Sequence, residues 1–293
     1  MNIYMTIEVA SRELEARTLL AFFSARSNFD VVLGRKKELI NYALSAKPGI
    51  FLSQWGLHRN FLPIYKKLKK QGHLLVCFDE EGLVTNSFDN YAKTKINEDC
   101  IKLADKVLLW GLLQEQSFKA KFPLFSEKFK AVGNPRDDIL DAKFKNLFDL
   151  GKINPVTIKS PGIVFVSSFG FVNHANGGEE YFVNSIKNGV FFNGEIVSIY
   201  RDYFNFQKKN FAKFLDLVEV TAKDYPEKTI TYRCHPAENR ESLLQRFKSM
   251  DNVQFSIGGS IIPVLRGAEL VIHNYCHAGI EAQILGKKTF AMR

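Results

Sequence analysis

Three acidic side chains in a row, Asp79-Glu80-Glu81, stand before Gly82 and directly after the apolar run Leu74 to Phe78. Like charges this close raise at least one carboxyl pKa, and a carboxylate so tuned can act as general base on a hydroxyl. Gly82 lets the chain turn sharply and brings backbone near a ligand. The same tetrapeptide also fits a solvated acidic turn. His235-Pro236 follows a second strand-like run, Thr229 to Arg233. Pro236 fixes φ and offers no N–H, so it shapes the turn and leaves His235 at the strand's rim. There the histidine either caps the turn or meets a phosphate. The start of the next helix would offer backbone N–H groups to that phosphate, and Arg233 and Arg240 add positive charge.

The segment from His273 to Ala282 ends a strand and opens a helix. Its small residues, Gly279 among them, would let a phosphate approach the helix N-terminus. Glu281, one turn inside, would accept hydrogen bonds from ribose hydroxyls. His273 and His277 are spaced as a metal pair, H-x-x-x-H. A metal needs both rings on one helix face, however, and His273 reads as a strand end, so no metal is expected. Gly133-Asn134-Pro135-Arg136 reads as a helix start, with Asn134 as N-cap and Pro135 as first residue. It reads equally as a turn that carries Arg136 to a ligand or hinge. Ser167-Ser168-Phe169-Gly170 follows another strand and could hold a phosphate through backbone and hydroxyls. Asn173 to Gly178 is a plain surface loop or a mobile cover. Lys66-Lys67-Leu68-Lys69-Lys70, with Arg59 nearby, is a solvated face or a weak contact for an anionic membrane.

Such residues need a scaffold that gathers strand ends. The chain has 293 residues, 46% hydrophobic and 24% charged, which argues against disorder, collagen and coiled coil. No apolar run reaches the ~18 residues that span a bilayer, and the N-terminal residues do not read as a signal peptide. Cys77, Cys100, Cys234 and Cys276 lie far apart, which argues against a disulfide framework or zinc knuckle and fits a cytoplasmic protein. A net charge of +9 favours anionic partners. Nucleic acid is not expected, because the basic residues are dispersed and no stacking motif accompanies them.

Strand and helix signals alternate. Strands are predicted at Ile3 to Val9, Asp30 to Leu33, Gly49 to Ser53, Leu74 to Phe78, Val107 to Trp110 and Phe129 to Val132. Helices are predicted at Arg12 to Phe23 and Lys36 to Ser45, on the face Phe61, Ile64, Tyr65, Leu68, and between the last two of these strands. Gly, Pro, Ser and Asn then cluster over Gly151 to Gly162, a linker signal. Alternation restarts with strands at Ile163 to Val166, Thr229 to Arg233, Leu270 to His273 and Lys288 to Ala291. Helices are predicted on the face Phe211, Phe214, Leu215, Val218, Ala222, at Glu241 to Lys248 and at Gly279 to Leu285. Two runs of βα units predict an α/β protein of two Rossmann-like, doubly wound parallel-sheet domains, 1–150 and 151–293, facing a cleft. Lys288 to Met292 reads as a strand with no covering helix after it, so the second domain is expected to be incomplete.

These motifs together resemble bacterial GT-B glycosyltransferases that use CMP-activated sugars, the sialyltransferases and Kdo transferases. The fuller set resembles the surface carbohydrate biosynthesis proteins of that superfamily. Ser11-Arg12-Glu13-Leu14-Glu15-Ala16-Arg17, Asp79-Glu80-Glu81-Gly82, Gly133-Asn134-Pro135-Arg136, His235-Pro236-Ala237-Glu238 and the His273 to Ala282 segment carry the likeness. The resemblance implies a GT-B-like fold, with acceptor on the first domain and nucleotide-sugar on the second. It implies Glu80 as base, with Glu81 as second choice, and His235 at the donor phosphate, easing departure of CMP. Ser167, Ser168, Gly170, Arg233, Pro236, Glu238, His273, His277, Gly279 and Glu281 would line the donor. Arg12, Glu13, Asn134 and Arg136 would lie at the acceptor or cleft. No metal or cofactor is implied beyond the CMP-sugar donor. The acceptor would be a glycan or lipid-linked glycan, with peripheral contact to the anionic inner membrane. Two alternatives remain open: a CDP-polyol phosphotransferase sharing the His-Pro logic, and a non-catalytic nucleotide- or glycan-binding scaffold.

Overall fold

The computed structural model describes residues 1–54, 56–85, 87–144, 162–191 and 194–292. The chain divides into two compact units, Met1–Ile139 and Leu140–Arg293. The boundary expected at 150 lies outside the described residues, as does the linker expected over Gly151 to Gly162 apart from Gly162 itself.

The first unit carries a six-stranded sheet in the order β2-β1-β3-β4-β5-β6, with every neighbouring pair parallel. The strands are β1 (Asn2–Ile7), β2 (Asp30–Arg35), β3 (Ile50–Ser53), β4 (Leu74–Phe78), β5 (Lys106–Leu109) and β6 (Phe129–Ala131). Alternate side chains face opposite layers. Tyr4, Phe51, Leu75, Cys77 and Val107 pack with α2 (Lys36–Ala43), α3 (Leu62–Lys70), α5 (Glu98–Leu103) and α6 (Leu112–Lys121). Ile3, Met5, Leu52 and Phe78 pack with α1 (Ala10–Arg26). Two further helices, α4 (Phe88–Lys95) and α7 (Pro135–Asp138), complete the unit.

The second unit carries a five-stranded parallel sheet in the order β11-β10-β7-β8-β9. Its strands are β7 (Ile163–Val166), β8 (Ile230–Arg233), β9 (Val253–Ser256), β10 (Leu270–His273) and β11 (Lys288–Ala291). Phe165, Ile230, Tyr232 and Ile272 pack on the C-terminal half of α9 (Gly194–Asp224) and on α10 (Arg240–Arg246). Val164, Val166 and Val271 pack on α11 (Ile262–Gly267) and α12 (His277–Ile284). A satellite apolar cluster, Phe182, Phe191, Ile196 and Phe204, joins α8 (Gly178–Lys187) to the first half of α9.

All strands of a parallel sheet end on one edge, and ligands bind beyond that edge where strand order reverses. The reversals fall between β1 and β3 in the first sheet and between β7 and β10 in the second. No helix among the described residues is long and apolar enough to cross a membrane.

Candidate functional site

In the first unit the polar side chains gather at the carboxyl edge. Asp79 follows β4 as a buried carboxylate. Its Oδ1 accepts from the Glu81 N–H (3.1 Å), the Gly82 N–H (3.1 Å) and the Tyr91 hydroxyl (2.6 Å), and its Oδ2 from Gln114 Nε2 (2.5 Å). Burial pushes the Asp79 carboxyl up, against those hydrogen bonds, and the Glu81 charge adds a smaller push. A Cβ at Gly82 would collide with Gln114 Nε2 and Asp79 Oδ2, so the turn needs glycine there. Asp79 is the internal anchor of the acidic turn.

Glu80 is the carboxylate that the anchored turn holds at the edge. Its side chain is 15% exposed and pairs with the Arg17 guanidinium, which is 3% exposed. The other oxygen, Oε2, accepts from Asn134 Nδ2 at 3.5 Å. Arg17 comes from α1, lies over the Phe78 ring at 5.4 Å and reaches Gln54 Oε1 at 3.5 Å. Gln54 in turn donates to Glu13 Oε2 at 2.8 Å. Glu13 is buried and accepts the N–H groups of Glu8 (2.7 Å) and Val9 (3.2 Å), so it closes the junction of β1 and α1. Arg12 is more exposed and lies 3.7 Å from Glu13. Asn134 Oδ1 caps α7 by accepting the Arg136 N–H at 2.9 Å, with Pro135 as first helical residue. Glu81 differs from Glu80: it is 67% exposed and ion-paired with Lys95 at 3.0 Å. The Lys95 charge holds its carboxyl below the usual range, and Arg12 and His58 add to that.

In the second unit, His235 stands in a loop after β8. Its Nδ1 accepts the Ala237 N–H at 3.2 Å, which leaves Nε2 to carry the ring proton. A Cβ at Gly170 would collide with this imidazole, so glycine lets the β7 turn pass beneath the ring. Glu238 is 2% exposed. Its carboxylate accepts from the Ser167 hydroxyl (2.5 Å) and the His235 N–H (2.7 Å). Burial pushes its carboxyl up to about 7. Pro236 is exposed beside it. Arg233 is turned inward: its guanidinium donates to Ser256 Oγ (3.0 Å) and to the carbonyls of Gly258 and Gly259.

Two expectations for this loop change. The helix after His235 begins only at Arg240, and Asn239 caps it by accepting the N–H groups of Glu241 and Ser242. Its start is therefore already partnered by the chain. The segment over Asn173 to Gly178 is tied down where a mobile cover was one expectation. Ala175 N–H donates to Ala237 O (2.9 Å), Asn239 N–H donates to Asn173 O (2.7 Å), and His174 stacks on Tyr181 at 3.8 Å.

The β7/β10 reversal is stitched by Asn274. Its Oδ1 accepts the Ser168 N–H (3.0 Å), and its carbonyl accepts the Ser168 hydroxyl (2.7 Å). Asn274 Nδ2 is buried and finds no partner among the described residues. His273 ends β10 with its ring against Gly279, and burial pushes its pKa down. His277 opens α12, with Nε2 at 3.7 Å from Glu281 Oε1, and Glu281 is buried. The two histidines thus lie on different elements. Among the described residues no group of three His, Cys, Asp or Glu is placed to hold a metal ion.

Among the residues of this arrangement that carried no role in the motif reading are Arg17, Gln54, Tyr91, Gln114 and Asn274. Arg17 and Asn274 lie inside motifs already singled out, and Arg17 falls one helical turn after Glu13, so their positions were visible. Gln54 had no signal beyond following a strand.

No family model matches the chain, and no curated protein matches it in sequence. Solved structures do. Staphylococcus aureus MnaA with UDP covers 100% of this chain and 79% of its own, at 11% identity and a TM-score of 0.59. The UDP-GlcNAc 2-epimerase from Neisseria meningitidis, bound to UDP-GlcNAc, covers 100% and 82%, at 11% identity and 0.56. The wall teichoic acid polymerase TagF, soaked with CDPG, covers 100% and 69%, at 10% identity and 0.55. The fold shared with them is GT-B: two Rossmann-like α/β units, each on a parallel sheet.

Proposed function

We propose that this chain is a glycosyltransferase of bacterial surface polysaccharide biosynthesis, of capsule or lipopolysaccharide. It transfers a Kdo- or sialic-acid-like sugar from a CMP-activated donor to a glycan acceptor. The observation that carries the reading is the orphan amide of Asn274, at the strand-order reversal of the second sheet. A buried donor without a partner is costly, and a donor phosphate oxygen would satisfy it. His235 supports the same reading. With Nδ1 engaged inside the loop, its Nε2–H would donate to the leaving phosphate, and that bond strengthens as charge develops there. Glu80 of the first unit would take the proton from the acceptor hydroxyl. The fold relatives support a nucleotide-linked donor, since UDP, UDP-GlcNAc and CDPG are the ligands bound to them.

A thermal-shift series with CMP, CDP, UDP and ADP tests this. At a hundredfold excess over Kd a ligand stabilises its site by about 2.7 kcal/mol, on the order of 5–10 °C for a unit of this size. CMP is expected to give the largest shift, and no shift with any of the four would sink the reading. The TagF likeness favours one second reading, a CDP-polyol phosphotransferase. Turnover of CDP-glycerol without turnover of CMP-sugars would select it.

Peripheral membrane contact belongs to the same proposal. Lys66, Lys67 and Lys70 are exposed on α3, whereas Lys69 is paired with Asp105 at 2.7 Å. Each lysine near an anionic surface contributes about 1 kcal/mol. Flotation with phosphatidylserine vesicles should capture the chain at low salt, and Lys66→Glu with Lys67→Glu should release it. Absence of binding by the parent chain at low salt counts against the contact.

A further inference from the structure

Glu238 stands between two strand-end loops and touches both. Its Oε1 accepts from Ser167 at the end of β7, and its Oε2 accepts the backbone N–H of His235 after β8. Its own N–H returns to the His235 carbonyl at 3.0 Å, so His235 and Glu238 close a small ring around Pro236 and Ala237. The same residue bridges His174 on the segment paired with the loop. At 2% exposure its carboxyl is not on the surface that a donor would meet. We propose that Glu238 is a positioning residue: its carboxyl locks the His235 backbone to the Ser167 turn and thereby sets where the His235 imidazole stands. This rests on the reading of the second unit as the donor site and reassigns Glu238 from donor contact to loop geometry.

The chemistry of the lock makes it sensitive to protonation. The ionised carboxylate accepts both bonds at full strength, because hydrogen bonds to a charged acceptor are the stronger kind. Protonation leaves one oxygen a donor and weakens the grip on the His235 amide. The groups facing this carboxyl are Ser167 from β7's end, Tyr232 from β8, Cys234 and the His235 amide from the loop, and Asn173 from the paired segment, whose His174 bridges Glu238 through the backbone. With its carboxyl pushed up to about 7, Glu238 changes state within the range where such enzymes are assayed.

Two readouts test the proposal, and the first needs no ligand. In an 15N spectrum the His235 amide should move with a midpoint near 7 in the parent chain, and Glu238→Gln should abolish that titration. The second is CMP affinity per folded molecule. Glu238→Gln can still accept the His235 N–H, so its Kd should stay within about threefold of the parent, whereas Glu238→Ala should lose tenfold or more. Equal losses in Gln and Ala would make Glu238 a direct ligand and overturn the proposal. So would an Ala variant of unchanged affinity, or a His235 amide indifferent to pH. If the parent chain binds no CMP, the donor reading fails on that ground alone, and the amide titration still decides whether Glu238 holds His235.

Discussion

A Glu80→Gln variant is expected to transfer sugar about a thousandfold more slowly than the parent, with nucleotide affinity unchanged, because a positioned general base is worth roughly 10²–10⁴ in rate. Glutamine keeps the volume and an acceptor oxygen for Arg17, but it leaves that buried guanidinium without its counter-charge, so the edge is destabilised and the rate is compared per folded molecule. What it removes is the lone pair that would accept the proton of the attacking hydroxyl. The matched control is Glu81→Gln. Glu81 is exposed and held by Lys95, and its loss should change the rate by less than threefold. CMP release at saturating donor, with and without acceptor, is the measurement. A Glu80→Gln chain that transfers at the parental rate would remove Glu80 from the chemistry, and a slow Glu81→Gln chain would move the role one residue along.

The contrast between these neighbours shows what the sequence could and could not display. Asp79-Glu80-Glu81 reads as three equivalent charges. The structure separates them into an anchor, an edge carboxylate and a surface ion pair, and the separation depends on distant partners. Gln114, Arg17 and Asn134 come from three different elements, and Tyr91 and Lys95 both from α4. The strands were legible because a sheet covered on both faces demands unbroken apolar runs. Leu74 to Phe78, Ile163 to Val166 and Leu270 to His273 carry such runs and end where expected. α4, α5, α8, β9 and α11 went unpredicted. β9 and α11 are short, and α4 buries only Ala92 within its span, too little periodicity to notice. The Asn134 cap was legible because capping is local. The link from Glu238 to Ser167 was not, since it joins positions 71 apart through a contact that no local pattern encodes.

The Arg17 pair provides the sharpest energetic test. Breaking a buried ion pair from one side costs about 3–5 kcal/mol, because the remaining charge keeps its desolvation and loses its compensation. Arg17→Met should therefore destabilise the first unit by that amount, seen as an earlier transition in urea. Arg17→Met combined with Glu80→Gln should recover more than half of the loss, since neither charge of the pair then remains uncompensated. The two outcomes separate charge from packing. Methionine retains much of the stem that lies along the Phe78 ring, so a packing effect would appear equally in the single and double variants. Additive losses in the cycle would mean that Arg17 and Glu80 act independently. They would also weaken the case that α1 fixes where the Glu80 carboxylate stands. A coupling of about 2 kcal/mol or more ties the Ser11 to Arg17 segment to Glu80, through a contact made by its last residue, Arg17.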